Sequence, residues 1–425
     1  MRKRRRRLLR VAIGPAAIGI ALVGVAACST SASSSATSSS SSSASAVAAG
    51  SAAAKGKPIL IGLAVPLTGS NPSEGTSELA IAKYAVSVIN GKGGIDGRQV
   101  QLVYRDTGGV SPTGAVTAFE SLSSSGVALV IGEYTSTNFE AGCTIAMAQH
   151  VVLIGHASAT TGLTDGKTYC FRDAYQVSQS ASAMFETAKA MGWNPIAIAA
   201  DTTSFGASES TEFEALAASY GIKIAANVSW SSPASSLTAQ ALKLGQSGAK
   251  AVFIGSASGP DVTLLAKTMV QNGVKLPIFG PGGVNAPGVP AAAGSAYNDL
   301  GGVYDITSYD SQVVSAQAFM SLISKETGIT QGGENPTQLY DAFMIAAAGL
   351  AKSSGQGGMA LVTALQSLGK FPTMSGGPGS YVDYTSTQHS GLFGPNLYTI
   401  YKWDAATSAF AVDPALSAIA DKTTG

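Results

Sequence analysis

The chain has 425 residues, 45% of them hydrophobic and only 12% charged, with three cysteines, three histidines and a formal net charge of +1. That length is enough for two domains of ordinary size. The near-neutral balance hides an uneven distribution. Residues 1–27 carry seven of the 26 lysines and arginines and no acid, so the remainder has 19 basic against 25 acidic residues, a net charge of −6. No basic patch is left to hold nucleic acid, and that class of partner is excluded.

The chain opens "MRKRRRRLLR" and continues "VAIGPAAIGIALVGVAAC", a basic head and an apolar stretch with small residues before a cut site. This is the pattern of a secretory signal peptide over residues 1–27. Gly14, Pro15, Gly19 and Gly24 weaken the alternative of a retained spanning helix. "VAAC" resembles the lipobox of bacterial lipoproteins, with Val25 where leucine is commoner, and implies cleavage after Ala27 and a lipid on Cys28. "RRRLLR" also resembles a twin-arginine signal, which leaves the export route open. Residues 28–57 then form a lipidated cysteine and a serine- and alanine-rich tether with almost nothing to bury. As a flexible coil the tether reaches on the order of 30 Å. The folded part is expected outside the cell, anchored to the outer face of the membrane. With Cys28 modified, Cys143 and Cys170 are the remaining thiols in an oxidising compartment and are expected to form a disulfide; two separate buried thiols are the alternative.

From residue 58 onward short apolar runs alternate with longer helix-like stretches. "PILIGLAVPL" leads to "ELAIAKYAVSVIN", "QVQLVYRD" to "GAVTAFESLSS", and "VALVIGE" to "NFEAGCTIAMAQH", with "VVLIGHAS" following. Farther on, "PIAIAAD" precedes "ESTEFEALAASYG", and "KAVFIGSA" precedes "DVTLLAKTMVQNG" and "LPIFGPGG". Continuous apolar strands, each followed by a helix, predict α/β architecture with parallel sheets covered on both faces. The break near "YCFRDAYQ" divides them into two doubly wound lobes. Ligands of such sheets sit beyond the carboxyl ends of the strands. The polar stretches "EYTSTN", "HASAT", "DTTSFG" and "SASGPD" all fall there. Alone, any one of them reads equally well as a loop capping the next helix.

Catalytic patterns are missing. "GSASG" has Ala257 where a nucleophile elbow needs serine, and "FGPGGVN" and "SGGPGS" lack the spacing of a nucleotide-binding loop. His150, His156 and His389 have no paired spacing for zinc; His156 is read as a structural residue or a cleft-lining one. Low charge and many small hydroxyls suit binding by hydrogen bonds better than acid–base chemistry. No enzyme activity, metal or cofactor is expected.

"INGKGGIDGRQVQLVYRDTGG" (89–109) closely resembles a signature of periplasmic-binding-protein type I solute receptors, and more narrowly of the branched-chain amino-acid receptors of ABC importers. "LTGSNPSEG", "LVIGEYTST", "VVLIGHASATTGLT", "TYCFRDA", "SFG" and "PIFGPGGV" follow in the family's order. The resemblance implies two lobes joined by three crossovers and closing on a small polar ligand like a hinged trap. It places the crossovers near Arg172–Gln176, Thr307–Asp310 and Gly376–Val382. Residues 58–174 and 309–378 would form lobe 1, residues 175–308 and 379–415 lobe 2, and 416–425 a C-terminal tail, with "NLYTIYKWD" returning to lobe 2. A monomer that hands its ligand to separate permease and ATPase chains is implied.

The family's first-lobe anchor for an α-carboxylate matches Ser136, with Thr135 beside it. The next strand end supplies a backbone N–H and a hydroxyl, matching Ser158, Ala159 and Thr160 in a loose alignment. The second lobe's aromatic wall matches Phe205. Two positions depart from the family: Ala257 stands where it has tyrosine, and Gly282 where it has the acid that holds the ligand's ammonium. Glu133, beside Tyr134, and Glu74 are the candidate replacements, and Thr164 is read as a helix cap outside the pocket. The implied ligand is an amino acid or related amine in a shifted pose. The alternatives are an amide, urea or carboxylic-acid receptor, a sensing lipoprotein or, most remotely, an exported hydrolase.

Overall fold

A computed structural model describes residues 56–330 and 333–423. The leader 1–27, Cys28 and the tether through residue 55 lie outside the described residues, as do 331–332 and 424–425.

Strands β1 (Ile59–Val65), β2 (Val100–Asp106), β3 (Leu129–Ile131), β4 (Val152–Gly155) and β5 (Cys170–Arg172) form a parallel sheet in the order β2-β1-β3-β4-β5. Their central members are apolar throughout because helices cover both faces. Helices 72–91 and 334–352 pack with Ile61, Leu63 and Ile154 on one face. Helices 112–124 and 136–149 pack with Val130 and Leu153 on the other. These last two cross closely at Gly142, where a Cβ would come within 2.4 Å of the Phe119 ring. Cys143, on helix 136–149, is joined to Cys170 at the start of β5 by a disulfide with Cα atoms 5.9 Å apart.

The same winding recurs in β6 (Ile196–Asp201), β7 (Ile224–Trp230), β8 (Ala251–Gly255), β9 (Ile278–Pro281) and β10 (Val303–Thr307), ordered β7-β6-β8-β9-β10. A hairpin-like β11 (Phe371–Pro372) and β12 (Tyr381–Val382) pair with each other. The segment "NLYTIYKWD" contributes β13 (Thr399–Asp404), antiparallel to β10, and β14 (Ala409–Val412) continues the second sheet beyond it. The second core is rich in aromatic edge-to-face contacts, such as Phe253 with Phe213 and Phe279. The protein is therefore two doubly wound α/β lobes, as the strand pattern predicts.

The chain leaves the first sheet after Arg172 and enters the second core at Tyr175. It returns after Thr307, since Phe319 and Ile323 of helix 314–327 lie in the first core. The third crossing comes later than Gly376–Val382. Val382 and Tyr384 still pack in the first core, and Leu392 is the first residue of this stretch in the second. Nor do residues 416–423 form a free tail: helix 414–420 buries Leu416 and Ala420 in the second core. Thr164 caps no helix; it is buried and hydrogen-bonded to Ser390.

Arg172 is fully buried at the first crossing. Its guanidinium donates to the carbonyls of Ser158 (2.6 Å) and Thr160 (2.7 Å), and its Nε to the Ser390 hydroxyl (2.9 Å). One side chain thereby fixes the loop after β4 to the last crossing. Among the described residues no helix is long and apolar enough to cross a membrane.

Candidate functional site

The carboxyl ends of both sheets face a cleft of about 960 Å³. Doubly wound sheets bind at this edge because the loops there diverge from a rigid strand floor. The structure brings Glu74, Tyr134, Ser136, Ala159 and Phe205 to the cleft wall, together with Ala257 and Gly282. Ser136 opens helix 136–149; its hydroxyl oxygen accepts the Thr160 N–H at 3.2 Å, which leaves its O–H to donate. Helix 72–91 begins at Pro72, ahead of the apolar stretch "ELAIAKYAVSVIN", because proline suits a first turn. That start places Glu74 in the first turn, where Asn335 donates to its Oε1 at 2.9 Å. Asn71 donates to the Tyr134 hydroxyl and holds that ring at the wall.

Four predicted ligand contacts do not line the cleft. Glu133 is turned inward, with Oε1 accepting from the Thr107 hydroxyl and Oε2 from Asn138 (2.9 Å) and Thr135 (3.2 Å). Thr135 is spent on that carboxylate. Ser158 donates to the Glu133 carbonyl, and Thr160 contributes its N–H to Ser136 and its carbonyl to Arg172, while its own hydroxyl is buried. These residues build the wall from behind, and of this stretch Tyr134, Ser136, Ala157 and Ala159 face the cleft.

Two acids that sequence reasoning missed complete the site. Asp305, on β10, is buried at the cleft floor and accepts from Asn285 at 3.3 Å. Glu334, first in helix 334–352, accepts at Oε2 from the Ser308 N–H (3.0 Å), the Thr307 hydroxyl (3.1 Å) and the Ser308 hydroxyl (3.3 Å). Their only sequence signals were an acid inside an apolar strand, "VYDIT", and an acid after glycines, "GGENP". Register places Ile306 beside Pro281, so Asp305 stands one strand away from the bare Gly282, whose φ of +67° suits glycine.

No lysine, arginine or histidine stands among the described residues that line the cleft. Burial raises all three carboxyls above the usual range. Glu74 is also raised by the Glu78 charge, to about 7, and Asp305 by Glu334. Behind the wall His156 Nε2 lies 3.0 Å from Glu78, both buried. Burial lowers the imidazole to about 4 and raises the Glu78 carboxyl well above its usual range. Among the described residues no group of three or more His, Cys, Asp or Glu side chains could hold a metal ion.

The lobes touch at one rim. The Ser204 N–H donates to the Thr137 hydroxyl at 3.1 Å, and the Ser204 hydroxyl donates to Glu140. Both partners lie at the start of helix 136–149, next to the cleft residue Ser136.

Residues 58–406 match a family model described as periplasmic binding protein. The Leu/Ile/Val-binding protein BraC3 of Rhizobium johnstonii is 26% identical over 359 residues, covering 82% of this chain and 92% of that one. A leucine-binding protein of Thermotoga maritima superposes with a TM-score of 0.73 at 19% identity, over 84% of this chain and 97% of that one. A solute-binding protein of R. palustris, solved with 4-hydroxybenzoate, superposes with a TM-score of 0.73 at 18% identity, over 84% and 95%. At such identities the structural likeness shows the fold alone.

The buried Glu133 has a measurable consequence. Burial, and secondarily the Glu78 charge, raise its carboxyl to about 8, against hydrogen bonds from Thr107 and Asn138 that favour the anion. A raised folded-state value means that the stability from this group is complete below about 4.5 and is lost as pH rises through about 8. Glu133→Gln removes that loss. In thermal unfolding between about pH 5 and pH 8.5, the midpoint of the variant falls less steeply than that of the wild type. Parallel curves would contradict the buried, proton-holding Glu133.

Proposed function

The chain belongs to the periplasmic binding protein family, and from that premise we propose that it is the extracytoplasmic solute receptor of an ABC importer, holding an amino acid or related amine between its lobes. The observation that carries the ligand class is the cleft itself: Glu74, Asp305 and Glu334 on its walls and no basic side chain among the described lining residues. Isolated buried charges are strongly disfavoured, so a cation supplied by the ligand gains what the wall lacks. Ser136, at a helix start with a free O–H, suits the α-carboxylate. Phe205, Tyr134 and Tyr175 give the apolar part a surface to pack on. The names of relatives such as the Leu/Ile/Val-binding protein BraC3 agree with an amino-acid ligand. The receptor passes its ligand to permease and ATPase subunits and carries out no reaction of its own.

Cys28 is the mature N-terminus and bears the lipid anchor, a reading that rests on the basic head, the apolar core, "VAAC" and the serine-rich tether. Intact-mass analysis of membrane-extracted protein is expected to show a chain beginning at Cys28 with lipid added; a membrane-bound form that keeps Met1 would refute it.

A fold neighbour solved with 4-hydroxybenzoate supports a ligand without an amine as the competing reading. A thermal-shift panel of amino acids, matched deaminated acids, amides and urea separates the two. The amines are expected to stabilise the protein and the deaminated acids to leave it unchanged. The tightest-binding amino acid is expected to bind Ser136→Ala about ten- to a hundredfold more weakly, the effect of losing a hydrogen bond to a charged group. Stabilisation by deaminated acids and by no amine would reject the amine reading.

A further inference from the structure

We propose that the cleft is built for a ligand with two separated positive charges, a diamine or a dibasic amino acid, one cation lying between Asp305 and Glu334 and the other at Glu74. The inference rests on the receptor reading above and narrows its ligand class.

The three carboxylates form two centres. Asp305 and Glu334 are close enough to repel one another, and both stand at the second-lobe and hinge side of the cleft. The hydrogen bonds to Glu334 from Thr307 and Ser308 converge on Oε2; among the described residues Oε1 meets only the Tyr175 hydroxyl, at the long distance of 3.5 Å. Glu74 belongs to the first lobe, and the titratable groups that act on it are Glu78 and His156 behind the wall. The side chain that meets Glu74 is Asn335, the chain neighbour of Glu334. The two centres are therefore distinct yet linked through the neighbouring residues Glu334 and Asn335, and both open on one cleft, as two amines on one carbon chain would need.

A single ammonium satisfies one centre and leaves the other as buried acid without a counter-charge. Two ammonium groups satisfy both. The walls between the centres suit the connecting carbons: Tyr134, Tyr175, Phe205 and Tyr309 line the cleft, and aromatic faces favour both methylenes and cations. Thr263 lines the same cleft, is nine-tenths buried, and its hydroxyl has no hydrogen-bond partner among the described residues. It is a polar group waiting for one more atom of the ligand. At about 960 Å³ the cleft sits near the top of the usual range for small-molecule sites, roughly 300–1,000 Å³, and is ample for a chain longer than leucine.

The test is titration calorimetry on the folded receptor with matched pairs: lysine against norleucine, and 1,5-diaminopentane against pentylamine. Each pair differs by one amine. The dibasic member is expected to bind at least tenfold more tightly in the wild type. Glu74→Gln is expected to weaken lysine about ten- to a hundredfold and to bring it level with norleucine, while Asp305→Asn weakens every amine. Norleucine binding as tightly as lysine, or a lysine preference that survives Glu74→Gln, would overturn the two-cation inference and leave the amine receptor standing. Binding of the deaminated acid hexanoate with no binding of any amine would overturn both. The wild-type pairs alone decide the inference should either variant fail to fold, and a wild type that binds neither dibasic compound overturns it.

Discussion

A carboxyl group taken out of water must keep its proton or meet a cation, and the cleft of this receptor puts three of them under that constraint. Glu74, Asp305 and Glu334 have amide, hydroxyl and backbone donors for company. Those donors soften the cost of burial without cancelling charge. On the proposed reading the ligand supplies the positive group that the described lining residues lack. The site offers hydrogen-bond donors and acids among aromatic side chains.

Two copies of one winding position these groups. Each sheet turns its strand ends toward the other, and the three chain crossings keep the ends in register while allowing them to part. Closure in such a hinge is favoured only as far as the ligand touches both halves. Ser136 and Glu74 come from the first lobe, Phe205 and Asp305 from the second, and Glu334 binds the strand end at Thr307 and Ser308 to the first-lobe helix it begins. The rim contact of Ser204 with Thr137 and Glu140 adds a direct lobe-to-lobe tie that no ligand has to supply. Arg172 performs the quieter task of holding the loop from Ser158 to Thr160, from which Ala159 lines the cleft.

Much of this was legible in the sequence. Continuous apolar runs such as "VALVIGE" and "KAVFIGSA" can be buried only in covered parallel sheets, and the polar residues at their ends mark the ligand edge. Ser136 and Phe205 could be named through the resemblance to the receptor family, whose pocket positions they match. Glu133 misled, since a strand-end position says nothing of which way the side chain turns; it was captured by Thr107, 26 residues away, and by Asn138. The acid absent at Gly282 could be noticed, but its replacement could not be located. Asp305 comes from the adjacent strand, and Glu334 arrives only after the chain has crossed back to the first lobe, so both depend on three-dimensional neighbours with no local pattern. The last crossing was misplaced as well: the resemblance put it near Gly376–Val382, yet Val382 and Tyr384 still pack in the first core.

Native mass spectrometry of the receptor, purified without denaturation from the cell that makes it, tests the central claim most directly. The account predicts one small molecule per chain, released on unfolding and identified as an amine. A bound molecule that carries no amine, seated at one per chain and displaced by no amino acid, would contradict it.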